Sequence, residues 1–332
     1  MRRGAGKPAE RKAKPSTRKL DLGNTSDKDN MIDERTAFGL QTRDERFVGR
    51  DERFDALASL LPIVRAQKPL IHCITNYVTA NDCANAILAI GASPIMADDL
   101  REVADIVKIS NALVLNIGTL NSSTVESMIA AGKKANALGI PVIFDPVGAG
   151  ASAYRNETTQ RLLHSVRMTI IRGNLSEVSF IAGLDVSTKG VDTAEEDSSK
   201  DPVAIANKVA KEFNCIAAIT GAIDTVSDGN RVSRIARGTP ELSRVTGTGC
   251  MTTALVAAFC GAVFANSASP SASVFANDPA HSSPTYFDAV VTGITAMGMA
   301  GEIAEHVVRE QGTGSFHIAI IDALSKLMNN EQ

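Results

Sequence analysis

The chain has no tract of about eighteen uninterrupted apolar residues, the length a helix needs to cross a bilayer, because glycine, threonine or serine breaks its longest apolar runs. No membrane-spanning helix is expected. The five cysteines, Cys73, Cys83, Cys215, Cys250 and Cys260, form no CxxC pair, and the five histidines make no ligand spacing with them. A structural zinc site is thereby excluded, and a reducing compartment is indicated. Net charge is scarce too: −3 over 332 residues gives no reason to expect nucleic acid as the partner of the folded part. With 44% hydrophobic residues, the chain can bury one large core or two modest ones without disulfides.

Charge is nonetheless unevenly distributed. Between Met1 and Leu20, Glu10 stands alone against a cluster of arginines and lysines, and hydrophobic residues are nearly absent. Such a segment cannot bury enough surface to order itself. It lacks both the apolar face of a transit helix and the apolar core of a secretory signal, so an untargeted tail and a cytoplasmic location are expected, with organelle targeting left open. Residues 21–50 stay polar, and helical spacing of Phe54, Leu57, Leu60, Leu61 and Val64 sets in afterwards. The expected organisation is a tail over 1–52 and one domain over 53–332. Polar stretches at 193–201 and 266–284 read as mobile surface insertions.

Within the domain, Leu70–Ile74, Ala112–Ile117, Pro141–Phe144, Met168–Ile171 and Ile216–Ile219 are short runs apolar on both faces, as in strands inside a parallel sheet. Helical patterns alternate with them over 81–90, 124–138, 158–166, 176–182 and 202–213, several closed by a glycine such as Gly139. The fold class is α/β, a mostly parallel central sheet with helices on both faces.

The chemistry collects at strand ends, where α/β proteins keep their sites. Val245-Thr246-Gly247-Thr248-Gly249-Cys250 precedes an apolar helical run. Two glycines two apart before a helix make either a tight turn or an anion cradle of converging N–H groups, with the helix dipole behind them. Cys250 would then be a small core residue or a thiol whose pKa the helix N-terminus lowers. Phe144 closes a strand and Asp145 follows it, ahead of Pro-Val-Gly-Ala-Gly, fit to hold magnesium or to cap a turn. Arg172-Gly173-Asn174 follows the next strand and offers a guanidinium to phosphate. Glu177, three residues after Asn174, matches a capping box, and Thr220-Gly221 ends the following strand.

Six segments together, His72–Val78, Gly91–Met96, Leu115–Thr119, Asp145–Gly150, Arg172–Asn174 and Val245–Cys250, resemble the hydroxyethylthiazole kinase family of the ribokinase-like superfold, in order from Leu57 to Leu327. The resemblance implies transfer of the γ-phosphoryl of ATP to the primary hydroxyl of 4-methyl-5-(2-hydroxyethyl)thiazole, with Mg2+, in thiamine biosynthesis or salvage. It further implies a homotrimer with the thiazole pocket between subunits. On this likeness Met96, Asn76 and Gly247 contact the thiazole, and Arg172, Thr220, Thr246 and Gly249 the nucleotide. Asp145 and Glu177 support magnesium, and Cys250 stands beside the acceptor hydroxyl, where other ribokinase-like kinases usually have aspartate. The rival readings are a pyrimidine or pyridoxal kinase, an ATP-dependent repair dehydratase, a nucleotide sensor without turnover, and a cysteine peptidase or acyltransferase pairing Cys250 with His72.

Overall fold

The computed structural model describes residues 52–184, 201–267 and 284–327. The expected tail and nearly all of both expected insertions lie outside the described residues.

The chain alternates in the order α1 (Glu52–Gln67), β1 (Leu70–Ile74), α2 (Ala80–Ala89), β2 (Ser93–Ile95), α3 (Val103–Ile109), β3 (Ala112–Asn116), α4 (Ser122–Leu138), β4 (Val142–Asp145), α5 (Ala153–Ser165), β5 (Ile170–Asn174) and α6 (Leu175–Ile181). Then come α7 (Pro202–Phe213), β6 (Ile216–Thr220), β7 (Asp224–Ser227), β8 (Val232–Ile235), a 3-10 turn (Pro240–Arg244), α8 (Thr248–Ser267), α9 (Tyr286–Val307) and α10 (Thr313–Lys326). Among the described residues the eight strands lie in the order β2-β1-β3-β4-β5-β6-β7-β8. Pairing is parallel from β2 through β6, and β7 and β8 extend the sheet as an antiparallel hairpin.

Strand residues divide strictly by parity, as the pleat requires. Ala112 and Val114 join a core layer with α1, α2, α8, α9 and α10, whereas Leu113 and Leu115 join the opposite layer with the helices from α3 to α7. Both faces of the sheet are thus covered, which is why its strands read as continuous apolar runs. Local signals fix the helix ends. Asn121, Ser152 and Asp201 cap α4, α5 and α7 through their side chains. Gly139 ends α4 at φ 71°, a left-handed conformation costly for any residue with a Cβ.

Two helices, Thr248–Ser267 and Tyr286–Val307, are long and apolar enough by length and composition to cross a membrane. In this fold they are core helices. Nearly all of α8 from Met251 to Ala262 is buried, and α9 is buried on several faces, as expected of helices apolar all round at the centre of a large domain.

Candidate active site

The C-terminal ends of the parallel strands converge on the N-terminus of α8. Its first hydrogen bond runs from the Met251 N–H to the Gly247 carbonyl at 2.8 Å, so Gly247 occupies the capping position with no side chain to close it. The N–H groups of the first helical turn have no carbonyl behind them within the helix. Gly247 is required there twice over: φ is 90°, and a Cβ would lie 2.6 Å from Thr79 Cγ2. On the other side of the same turn, a Cβ on Gly249 would meet Arg172 Nη1 at 3.0 Å. A guanidinium pressed against a helix N-terminus sets positive against positive. An anion between them turns that repulsion into binding.

Cys250 follows directly and is half-buried. Its sulfur accepts hydrogen bonds from Asn76 Nδ2 at 3.3 Å and Asn116 Nδ2 at 3.2 Å. Asn76 is itself held by Asn116, Nδ2 to Oδ1 at 3.0 Å, and its own Oδ1 accepts from the Thr79 backbone N–H and hydroxyl. Burial pushes the Cys250 thiol up, and the Asp145 charge adds to that push against the opposing pull of Thr79, Asn116 and Arg172. This corrects the expectation that the helix N-terminus lowers the Cys250 pKa: burial beside a carboxylate raises it.

Asp145 is fully buried at the end of β4. Its Oδ2 accepts from Asn116 Nδ2 at 2.9 Å and the Thr253 hydroxyl at 2.8 Å, with Arg172 Nη1 at 3.8 Å. Its Oδ1 has no hydrogen-bond partner. Burial raises the Asp145 pKa, opposed first by Arg172. An orphaned carboxylate oxygen in a buried site is costly, and it is what a hard cation with oxygen ligands would satisfy. The residues present therefore fit magnesium.

Glu177 is the capping-box residue of α6. Its Oε2 accepts the Asn174 N–H and its Oε1 the Gly148 N–H, each at 2.8 Å, which ties the loop after β4 to the end of β5. Burial, helped by the Asp145 charge, raises its pKa to about 7. Among the described residues no three His, Cys, Asp or Glu side chains gather as a metal cage. That agrees with an ion held by one or two carboxylates plus phosphates and water.

A cavity of about 560 Å³ opens from this centre toward β7 and β8. One end carries Arg172, Thr220, Thr248 and Gly249, and Arg172 Nη2 donates to Thr220 Oγ1 at 2.7 Å. Leu242, Pro240, Ile294 and Met297 supply apolar lining. A polar, cationic end at a helix N-terminus joined to an apolar slot suits a nucleotide.

The family model described as the hydroxyethylthiazole kinase family matches residues 61–276. The chain belongs to the hydroxyethylthiazole kinase family. Over 275 residues it is 56% identical to the hydroxyethylthiazole kinase of Ruminiclostridium cellulolyticum, covering 82% of this chain and 93% of that one. The solved structure of the hydroxyethylthiazole kinase protein from Pyrococcus horikoshii superposes with a TM-score of 0.69 at 34% identity, covering 83% of this chain and 96% of that one. A ribokinase-like superfamily protein from Enterococcus faecalis, 8% identical with a TM-score of 0.53 over 79% of this chain and 89% of that one, shares the fold alone.

Of the residues singled out in the sequence, the structure gathers Asn76, Asp145, Arg172, Thr220, Gly247, Gly249 and Cys250 around one helix end. Met96 is half-buried immediately after β2, on the same edge of the sheet as Asn76. Thr246 is exposed and does not line the cavity, whereas Thr248, two residues on, does. Sequence reasoning missed Asn116, the hub between Cys250, Asn76 and Asp145; its signal is an amide closing an otherwise wholly apolar strand. Nor does His72 serve Cys250: its Nε2 pairs with the Ala97 carbonyl at 2.7 Å and its Nδ1 makes no hydrogen bond. The peptidase reading loses its base.

Proposed function

We propose that this protein transfers the γ-phosphoryl group of ATP to the primary hydroxyl of 4-methyl-5-(2-hydroxyethyl)thiazole, with magnesium, in thiamine biosynthesis or salvage, and that it works as a homotrimer. One observation carries the reading: the N-terminus of α8 has two chemically different sides. Gly249 faces Arg172 and the cavity, whereas Gly247 packs on Thr79 and Cys250 on the Asn76–Asn116 pair. ATP enters from the first side with its terminal phosphate at the helix end, and the alcohol approaches from the second, next to Cys250.

Phosphoryl transfer passes through a loose transition state, so positioning and charge stabilisation supply most of the rate. The free N–H groups of the first turn of α8 and the Arg172 guanidinium take the charge on the moving phosphoryl oxygens. Asn76 and Asn116 fix the Cys250 sulfur, which sets where the acceptor hydroxyl sits. Asp145, through Oδ1 and with Glu177 nearby, would hold magnesium, whose chemistry there is to neutralise phosphate charge. Exposed Tyr77 and Val78, directly after Asn76, support a second subunit closing the alcohol pocket.

The test is turnover with ATP and magnesium against a panel of vitamin-precursor alcohols. Phosphorylation of the thiazole alcohol ahead of pyridoxal and hydroxymethylpyrimidine is expected. Preference for either of those, or ATP binding without turnover, would overturn the assignment.

A further inference from the structure

Residues 236–239 connect β8 to the 3-10 turn without regular secondary structure, yet all four line the cavity. What holds this wall lies outside the cavity, on α9. The Gly238 N–H donates to Glu302 Oε1 at 2.7 Å, and the Arg237 guanidinium is ion-paired with Glu302 Oε2. One carboxylate thus anchors two consecutive residues through separate oxygens. A turn earlier on α9, Gly298 leaves room for the segment to cross: a Cβ there would lie 2.8 Å from Arg237 Cβ and 2.9 Å from its backbone carbonyl carbon. Gly238 takes φ 120°, so the backbone bends where the carboxylate grips it.

The position of this wall along the cavity gives the anchor its meaning. The phosphate-binding groups Arg172, Thr220, Thr248 and Gly249 come from the strand ends and α8, whereas the 236–239 segment adjoins the apolar lining from α9, Ile294 and Met297. It therefore borders the part of the cavity left for a base and sugar. Glu302 itself is not in the cavity lining.

We propose that Glu302 is a positioning residue for the nucleotide: acting through Arg237 and Gly238, it holds the cavity wall in the shape that binds the base and ribose of ATP. The inference rests on the ATP reading above. An irregular segment gains affinity for a ligand when its conformation is fixed beforehand, and loses it when ordering must accompany binding. Because the hydrogen bond from Gly238 and the ion pair of Arg237 run to Glu302 rather than to the Cys250, Asn116 and Asp145 cluster, loosening of the segment costs nucleotide binding rather than the chemical step.

Steady-state kinetics of Glu302→Ala and Glu302→Gln, with direct ATP binding by calorimetry and thermal unfolding of each, test this. Glu302→Ala is expected to raise the KM for ATP about tenfold, with kcat at saturating ATP and the KM for the alcohol within about twofold of the parent. Glu302→Gln keeps an oxygen for the Gly238 N–H but not the charge for Arg237, so its KM should fall between the two. An unchanged KM for ATP in both variants overturns the proposal, and so does a parallel loss of kcat and of affinity for both substrates, the mark of a merely structural residue. Failure of the parent to bind ATP at all would instead strike the functional reading itself, and the inference with it.

Discussion

At Cys250 the local dipole and the surroundings pull in opposite directions, and the surroundings win. A helix N-terminus stabilises a thiolate by a few tenths to about 1 kcal/mol in exposed settings, whereas burying an anion beside another costs more. The thiol therefore stays protonated at neutral pH, and its first task is positional. The sign of its pH dependence follows: ionisation lies above the ordinary thiol range, so any contribution as a proton acceptor grows as pH rises into the alkaline region. Cys250→Ala should lower kcat by about ten- to a thousandfold while leaving ATP affinity intact. It should also abolish the alkaline rise expected of the parent. Cys250→Asp should remain active at neutral pH, since a carboxylate accepts both amide donors and the same proton. Superimposable pH–rate profiles for parent and Cys250→Ala would remove the sulfur from proton transfer, and unchanged turnover would remove it from the site.

At the scale of elements, the decisive packing is between α8 and α9, because α8 carries the turn proposed above to be catalytic. Gly293 on α9 lies against the backbone of α8, where a Cβ would fall 2.7 Å from Val256 Cα. A backbone atom cannot yield as a side-chain tip does. Gly293→Ala should therefore cost about 1–3 kcal/mol of stability, read from denaturant unfolding, and should lower kcat as the start of α8 shifts, since a misplacement of about 1 Å can cost a hundredfold. A variant that unfolds and turns over like the parent would refute that contact. The apolar runs of β1, β3, β4, β5 and β6 were legible in the sequence because strands covered on both faces leave no polar alternation. The three-residue β2 and the polar β7 and β8 were not, since pairing with a neighbour rather than their own pattern makes them strands. Nor was α9, whose small residues on every face give no single stripe. The candidate site was legible one strand end at a time. Its wiring was not: Asn76, Asn116 and Cys250 meet across large sequence separations, and spacing along the chain carries no information about which strand ends are neighbours.

For the whole molecule, the two sides of the catalytic turn differ in how completely one chain encloses them. The nucleotide side is a cavity walled by this chain's own β6, β7, α8 and α9, whereas the alcohol side opens toward Tyr77 and Val78, 81% and 57% exposed. These residues lead into α2, which packs on α10, where His317 pairs with Asp82 at 3.0 Å and Ile318 is again exposed. Large apolar side chains beside a polar pocket mark a surface that expects a partner. In the homotrimer proposed above that partner is a second copy, whose contact would finish the pocket around Met96 and Asn76. Tyr77→Asp places a charge on that surface without touching the nucleotide cavity. The mass in solution should fall from three chains toward one, and the KM for the alcohol should rise while ATP binding to the isolated chain is retained. If Tyr77→Asp remains trimeric, Tyr77 lies outside the subunit contact; if it becomes monomeric with the same affinity for the alcohol, a single chain encloses its substrate without help from a neighbour.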